Sequence, residues 1–326
     1  MTFTITKENS LTLKGIAVFL MVILHYGFLP ARIGVACVAI FAFVTGYAHC
    51  LKVNKSKSLS WSSGFQSFLA FYKKYIAIAI TLFGAMYLCG KTLSLEKIIY
   101  TISIIQPNQS FDSWWYAFAF ACYCLFLFPI IRGFDKLFWK KPLILYIVLG
   151  IISLGCYILP LFFHYEWVPG CFNQIWGDIP ILRTLMFVPY YIIGYSLAKS
   201  NFSDTLTGII CSGLITLMCA CWPFSFYSIP EIKVLDVGVS FAAFTLFTLT
   251  YIQKTKLRSV LEKLGTISIY LWLLHVPIIY FIKHFYSADG SLYHSLIIRL
   301  IAIIFSLFCA WIFGWSYNKL FNKHKY

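Results

Sequence analysis

The sequence contains little charge. Only 11% of its 326 residues are charged, and Asp and Glu together number 11. Soluble domains carry about 25% charged residues, so this chain lacks the polar surface that a water-soluble fold of its size needs. Hydrophobic residues make up 60% of the chain and aromatic residues 20%, with a mean hydropathy of +0.81. The composition excludes a soluble globular protein and indicates an integral membrane protein.

The sequence also lacks the cysteine patterns of metal sites and disulfide frameworks. It has 11 cysteines, but no Cys-x-x-Cys pair with zinc-site spacing. All but Cys171 lie within or at the edges of apolar segments, where cysteine behaves as a small hydrophobe. We therefore predict no metal and no structural disulfide. The first apolar stretch lacks a small-residue cleavage site, which predicts a retained span and not a signal peptide.

Ten apolar segments are long enough to cross a bilayer as helices, which takes about 20 residues. They fill residues 1–326 with short connections, so we predict a single domain of the all-α integral membrane class, a bundle of about ten transmembrane helices. Apolar residues also recur at helical spacing over residues 95–105, which fits a short interfacial helix in an outer loop. The predicted spans are 11–29, 32–51, 70–90, 113–131, 142–163, 180–198, 205–225, 233–252, 267–285 and 293–316.

The basic residues predict the topology. With the N-terminus inside, 19 of the 26 Lys and Arg residues fall on the inner side and 7 on the outer side. This asymmetry follows the positive-inside rule and predicts that both termini are cytoplasmic, in a cell membrane (inner or plasma membrane). The net charge of +15 therefore reports topology, and we expect a lipid bilayer and no nucleic acid among the partners.

Lys14 and His25 are the most informative polar residues. They are eleven residues apart in the first span, which at about 100° per residue places both on one helix face, roughly 16 Å apart along the axis. Both are costly in hydrocarbon, so a functional role is the default hypothesis, and we expect them to line one polar cavity open to the cytoplasm. The alternative is that Lys14 extends to the headgroups while His25 bonds a neighbouring helix.

Five motifs in order resemble the acyltransferase-3 family, whose polytopic enzymes move acyl groups from acyl-CoA onto glycans. The resemblance covers about residues 13–277. Its elements are Lys-Gly-Ile-Ala at 14–17 followed by His25, Phe-Ala-Phe-Val-Thr-Gly-Tyr at 41–47, Ser-Trp-Trp-Tyr at 113–116 with Leu-Phe-Leu-Phe-Pro at 125–129, Phe-Val-Pro-Tyr-Tyr-Ile-Ile-Gly-Tyr at 187–195, and Leu-Gly-Thr-Ile-Ser-Ile-Tyr-Leu-Trp-Leu-Leu-His at 264–275.

The chain departs from the family pattern at three places. Lys14 replaces the usual Arg, which offers a planar bidentate fork where Lys offers a point charge. Thr45 replaces Ser and keeps the hydroxyl. The family's Arg-x-x-Arg at the third span is present only as Lys73-Lys74, with Ala77 three residues after Lys74.

Acyl transfer to a hydroxyl needs a base, charge stabilisation for the oxyanion and a site for the phosphates of CoA. The resemblance implies that His25 is the catalytic base. Imidazole suits this role, because its ordinary pKa of about 6.5 lies near working pH. The resemblance also implies that Lys14, Lys73 and Lys74 bind acyl-CoA; anchoring at the membrane surface is the alternative for the last two. Candidate cavity or substrate contacts are Thr45, Tyr47, Trp115, Tyr116, Arg183, Tyr270 and His275. Aromatic belts at the membrane interface and ordinary packing remain alternatives for these residues.

The leading prediction is an O-acetyltransferase that transfers an acetyl group from acetyl-CoA, or another acyl-CoA, to a hydroxyl of a cell-surface polysaccharide or its lipid-linked precursor. A glycan is the expected acceptor. The alternatives are a secondary transporter or flippase and a catalytically inactive glycan-binding relative. Against transport, no pair of Gly- or Pro-broken helices occupies corresponding positions in two halves of the chain.

Overall fold

Long helices follow the apolar segments of the chain. The computed structural model describes residues 5–29, 31–55, 60–90, 94–107, 111, 114–138, 140–164, 180–199, 225–226, 229–286 and 296–321. A π-helical turn at Tyr123–Leu127 separates two of these helices, and two short strands of the described residues pair antiparallel. The elements are α1 (Lys7–His25), α2 (Ala31–Lys55), α3 (Ser60–Leu88), α4 (Leu95–Ile102), α5 (Trp115–Cys122), α6 (Phe128–Leu137), α7 (Pro142–His164), α8 (Ile181–Lys199), β1 (Ser225–Phe226), β2 (Ile229–Lys233), α9 (Val234–Thr250), α10 (Leu257–Thr266), α11 (Ser268–Tyr286) and α12 (Leu296–Phe321).

These helices confirm the all-α membrane class. Five helices of the described residues are long and apolar enough to cross a membrane, or six when α10 and α11, bent by 75°, count as one span. The predicted span 205–225 lies outside the described residues except for its last position, and each of the other predicted spans overlaps a helix. The total of ten spans stays a prediction.

The third predicted span was placed too late in the chain. It was expected to begin at residue 70, with Lys73 and Lys74 near its inner end, but α3 begins at Ser60. The segment before position 70 belongs to this helix although it is rich in polar residues, and the Ser67 hydroxyl donates to the carbonyl oxygen of Ser63 at 2.9 Å, as a helical serine can. Both lysines therefore lie near the middle of a 29-residue helix.

Glycines from the sequence motifs allow two pairs of helices to touch backbone to backbone. A Cβ on Gly15 would lie 1.9 Å from the carbonyl oxygen of Leu261, which fixes α1 against α10. A Cβ on Gly46 would lie 2.0 Å from the carbonyl oxygen of Tyr191, which fixes α2 against α8. Helices in membranes associate through such small residues because lipid offers no hydrophobic driving force for their contact. Two of the motif glycines thus fix the relative positions of the helices.

The last helix, α12, presents an apolar surface of the kind that contacts lipid. Four of its five buried positions recur every four residues and are small, namely Ala302, Ser306, Ala310 and Gly314, and the fifth is Tyr317. The hydroxyl of Tyr26, beside the end of α1, lies 2.7 Å from the Ser306 hydroxyl. Most large apolar side chains of α12 are exposed on the opposite side, as expected for a helix that faces hydrocarbon.

A buried carboxylate joins α6 to α8. Asp135 pairs with Arg132 at 2.6 Å and with Lys199, and the hydroxyl of Tyr195 donates to it at 3.2 Å. Buried charges need such pairing because an isolated carboxylate is strongly disfavoured out of water. Arg132 follows the fourth predicted span and Lys199 follows the sixth, so the predicted topology places both on the inner side. Their contact with one carboxylate is consistent with that placement.

Candidate active site

A cavity of about 440 Å³ lies among α1, α2, α3, α5, α10 and α11. It combines cations, hydroxyls and aromatic rings, and none of the described residues that line it is acidic. A cavity with this lining suits an anion that carries an apolar or amide-rich arm. The lining residues are Leu11, Lys14, Phe41, Val44, Thr45, Ala48, His49, Lys52, Ser67, Ala70, Phe71, Lys74, Tyr116, Phe120, Gly265, Thr266, Ser268, Ile269 and Trp272.

One face of α2 supplies an entire wall of this cavity. Phe41, Thr45, His49 and Lys52 follow one another at steps of four, four and three residues, the spacing that keeps side chains on one side of a helix. The Gly46 contact with α8 lies on another side of α2 and holds the helix in this rotation. The wall changes from aromatic to basic over roughly 16 Å of helix.

Three lysines line the cavity. Lys14, Lys52 and Lys74 come from three different helices, and both Lys52 and Lys74 repel Lys14 electrostatically. The Nζ of Lys52 donates to the Ser67 hydroxyl at 2.7 Å, a neutral partner that leaves the charge uncompensated. Converging cations without a carboxylate among the described lining residues favour a bound phosphate or pyrophosphate.

Aromatic rings form the rest of the wall. The Phe71 ring lies 4.7 Å from Phe120 and 6.4 Å from Trp272, centroid to centroid. Trp272 also meets Tyr116 edge to face at 5.7 Å. These rings bury apolar area and leave few partners for water, so this part of the cavity suits the less polar portion of a ligand.

Two histidines meet beyond the aromatic wall. The rings of His25 and His275 lie 5.0 Å apart in an edge contact, with His25 exposed at the end of α1 and His275 fully buried. The Nδ1 of His275 lies 3.1 Å from the carbonyl oxygen of Leu271. Because a carbonyl oxygen only accepts, Nδ1 carries the proton, and Nε2 presents a lone pair. That Nε2 has no hydrogen-bond partner among the described residues.

The histidine pair and the basic cavity are distinct but adjacent. Lys14 lines the cavity and His25 does not, so the expectation that the two residues line one cavity fails for His25. On α11, Trp272 lines the cavity and His275 follows it by three residues, a rise of about 4.5 Å. The two sites are therefore about one helical turn apart along α11.

The structure brings some of the predicted site residues together and separates others. Lys14, Lys74, Thr45 and Tyr116 all line the cavity. Lys73, next to Lys74, is exposed and does not line it, because adjacent residues on a helix point about 100° apart.

The remaining candidates lie apart from the cavity lining. The Tyr47 hydroxyl accepts a hydrogen bond from the backbone nitrogen of Ile5 at 3.1 Å and so holds the N-terminal segment. Arg183 lies over the Trp115 ring at 6.0 Å, and Lys74 lies over the Tyr270 ring at 5.6 Å. Tyr270 is thus next to a cavity residue without lining the cavity itself.

Sequence reasoning did not single out Lys52, Ser67 or Trp272, and it gave His49 no role. His49 is buried, and its Nδ1 lies 2.7 Å from the hydroxyl of Tyr191. A signal for the α2 residues was present: Thr45, His49 and Lys52 have the spacing of one helix face that carries three polar groups. Ser67 gave no such signal, because its partner Lys52 comes from a different helix.

No group of three or more His, Cys, Asp or Glu side chains suited to a metal occurs in the described part of the chain. In a scan of protein families, the model described as an acyltransferase domain, acyltransferase-3, matches residues 11–315. That match covers nearly the whole chain and all five of the sequence motifs. Comparisons with curated proteins and with solved structures gave no match.

Proposed function

Because the chain belongs to the acyltransferase-3 family, we propose that this membrane acyltransferase moves an acetyl group from acetyl-CoA to a hydroxyl of a cell-surface polysaccharide or its lipid-linked precursor. The observation that carries the donor assignment is the meeting of Lys14, Lys52 and Lys74 in one cavity with no acidic residue among its described lining. Coenzyme A has three phosphate groups and a long, weakly polar arm that ends in the thioester, which is the chemistry this cavity complements.

The lysines would bind the phosphates of the donor. Lys is a compact point charge with three donors, and such charges bind phosphate oxygens without a fixed geometry. The aromatic end of the cavity, with Phe71 and Trp272, would then receive the arm and the thioester. This orientation points the acyl group toward the histidine pair.

His25 would act as the general base. It accepts the proton of the acceptor hydroxyl as the oxygen attacks the thioester carbonyl carbon, help that is typically worth about 10² to 10⁴ in rate. His275 is held in one tautomer by Leu271, and its free Nε2 faces the same region of the bundle. The pair thus offers two imidazoles at the place where the proton must leave.

The exposure of His25 supports a separate entrance for the acceptor. The basic cavity is formed near Lys14, whereas His25 lies roughly 16 Å further along α1 and is accessible from the opposite end of that helix. With the predicted topology, the donor would enter from the cytoplasm and the glycan from the outer side. The transfer would finish at the outer end of the first helix.

The test uses the full-length protein in lipid nanodiscs with radiolabelled acetyl-CoA and a panel of methyl glycosides and lipid-linked sugars. We expect acceptor-dependent release of free CoA thiol together with labelled, base-labile ester on one class of sugar. Binding of CoA measured by calorimetry should weaken as salt increases, because the phosphates meet lysines. Absence of both CoA binding and thiol release would contradict the proposal.

A further inference from the structure

Tyr116 contributes to the cavity lining a buried hydroxyl that has no hydrogen-bond partner among the described residues. Its side chain lines the cavity and is only 7% exposed, and its oxygen lacks a hydrogen-bond partner among the described residues. Buried hydroxyls are nearly always hydrogen-bonded, because losing water without a replacement is unfavourable. An orphaned hydroxyl at the wall of a ligand cavity is therefore a candidate to bond the ligand.

The proton of this hydroxyl is available. Thr45 is a polar neighbour of the Tyr116 hydroxyl. Its own hydroxyl donates to the carbonyl oxygen of Phe41 at 2.7 Å, so the Thr45 proton is already used. The Thr45 oxygen could still accept a hydrogen bond, but the Tyr116 hydroxyl forms none with any described residue.

Aromatic contacts hold the Tyr116 ring in place. Its centroid lies 6.2 Å from Phe41, 5.9 Å from Trp115, 6.3 Å from Tyr123 and 5.7 Å from Trp272. A ring held on several sides keeps its hydroxyl fixed, and a fixed donor needs no reorganisation when charge develops near it. The hydroxyl is thus preorganised.

Its position also matches that of the thioester. Phe41, which contacts Tyr116, is eleven residues from Lys52 on α2, or roughly 16 Å from the basic end of the cavity. Trp272, which also contacts Tyr116, is one turn from His275 on α11. A donor whose phosphates lie at the lysines would bring its thioester between the Tyr116 hydroxyl and the histidines.

We propose that Tyr116 is a catalytic residue whose hydroxyl donates a hydrogen bond to the thioester carbonyl oxygen of the acyl donor. This inference rests on the proposed acyl transfer. The acceptor oxygen attacks the carbonyl carbon, its proton passes to histidine, and the carbonyl electron pair moves onto oxygen, where the Tyr116 proton stabilises it. The carbonyl then re-forms, the carbon–sulfur bond breaks, and the CoA thiolate takes the proton from the histidinium. Tyr116 remains protonated throughout.

The variant Tyr116→Phe removes the hydroxyl and keeps the ring. We expect turnover at saturating acetyl-CoA to fall about 10²-fold, the lower end of the loss seen when one oxyanion donor is removed. Affinity for CoA, which lacks the acyl carbonyl, should not change, and the melting temperature should be unchanged or higher because an unsatisfied hydroxyl is gone. Both are measured on the full-length protein in nanodiscs.

Tyr123→Phe is the matched control. Tyr123 is a buried tyrosine that touches Tyr116 but does not line the cavity, and its hydroxyl donates to the carbonyl oxygen of Thr184 at 3.2 Å. Its loss should lower the melting temperature and leave turnover unchanged. Full turnover in Tyr116→Phe, or an equal loss in both variants, would overturn the assignment. A wild-type protein that neither binds CoA nor releases thiol would instead overturn the proposed function on which it rests.

Discussion

The two polar regions of this bundle differ in how their groups are satisfied. In the cavity, Lys52 and Lys74 both repel Lys14, and the three lysines have no carboxylate among the described lining residues, whereas Asp135, near the ends of α6 and α8, is paired with two cations. The histidine region is built from two imidazoles whose ring centroids lie 5.0 Å apart. Since the chain pairs the buried charge of Asp135, three lysines without a carboxylate among the described lining residues favour an anionic ligand.

This contrast also separates binding from chemistry. Uncompensated ammonium groups attract phosphate before any reaction occurs and contribute equally to the ground and transition states. A neutral imidazole gains its interaction only when a proton moves. Substitutions in the two regions should therefore change different kinetic constants.

Substitution of His25 should have the largest effect. His25→Ala and His25→Gln should each lower turnover about 10² to 10⁴-fold, because neither side chain can take the acceptor proton at neutral pH. The measurement is the rate of acetyl transfer at saturating acetyl-CoA, with CoA affinity and melting temperature as controls that should not change. Full transfer by His25→Ala would remove His25 as the base and make His275 the next candidate.

Combining substitutions at His25 and His275 tests whether the pair acts as a unit. We expect His275→Ala alone to lower turnover and the double variant to be little worse than His25→Ala, since groups that share one step give strongly non-additive losses. Turnover of all four proteins in the cycle is the readout. Losses that multiply in the double variant would indicate two independent roles and contradict the paired arrangement.

Adjacent lysines give a matched test of the cavity. Lys74→Ala should raise the acetyl-CoA concentration needed for half-maximal rate about tenfold, the loss expected for one partly exposed charge–phosphate contact. Lys73→Ala removes the same charge one residue away, where the side chain is exposed and outside the cavity lining, and should change little. If both variants behaved alike, general attraction by surface charge would explain the result better than a binding site.

Lys14 offers the smallest and most specific effect. Lys14→Ala should weaken the use of acyl-CoA with little change at saturation, whereas Lys14→Arg should keep or improve it, because Arg can bind phosphate bidentately. KM and kcat for acetyl-CoA are the quantities to measure. A loss of kcat with an unchanged KM in Lys14→Ala would place this residue in the chemical step.

If neither Lys14 nor His25 substitutions changed acetylation but both blocked movement of a solute across vesicles, the transporter alternative would replace the proposed function.

The sequence predicted most successfully those features that depend on residues close together in the chain. Runs of apolar residues predicted the helices, and the predicted short helix in the loop after α3 is present as α4 (Leu95–Ile102). It was less successful at the start of α3, because serines that look like a loop can satisfy their hydroxyls on the helix itself, as Ser67 does. The family resemblance, drawn from five short motifs, is confirmed by the match over residues 11–315.

For the site, the sequence identified candidate residues but not which side of each helix faces the cavity. The spacing of Lys14 and His25 placed them on one face, but it could not reveal that the aromatic side chains separate their surroundings. Nor could it distinguish Lys74 from Lys73, which differ only in which side of α3 meets the cavity. These outcomes depend on which helices touch, and the contacts of Gly15 and Gly46 join helices far apart in the chain.

The amino-acid sequence alone indicated that this protein lies in a bilayer, where most of the described helices run and to which family it belongs. The first two follow from local composition, because a helix pairs its backbone polar groups within one segment, as hydrocarbon requires, and the family follows from the order of five motifs. The packing of the helices, by contrast, brings three lysines to one cavity, sets His275 beside His25 and leaves the Tyr116 hydroxyl without a hydrogen-bond partner among the described residues. Those facts arise from the packing of helix faces, which small residues fix at a distance along the chain.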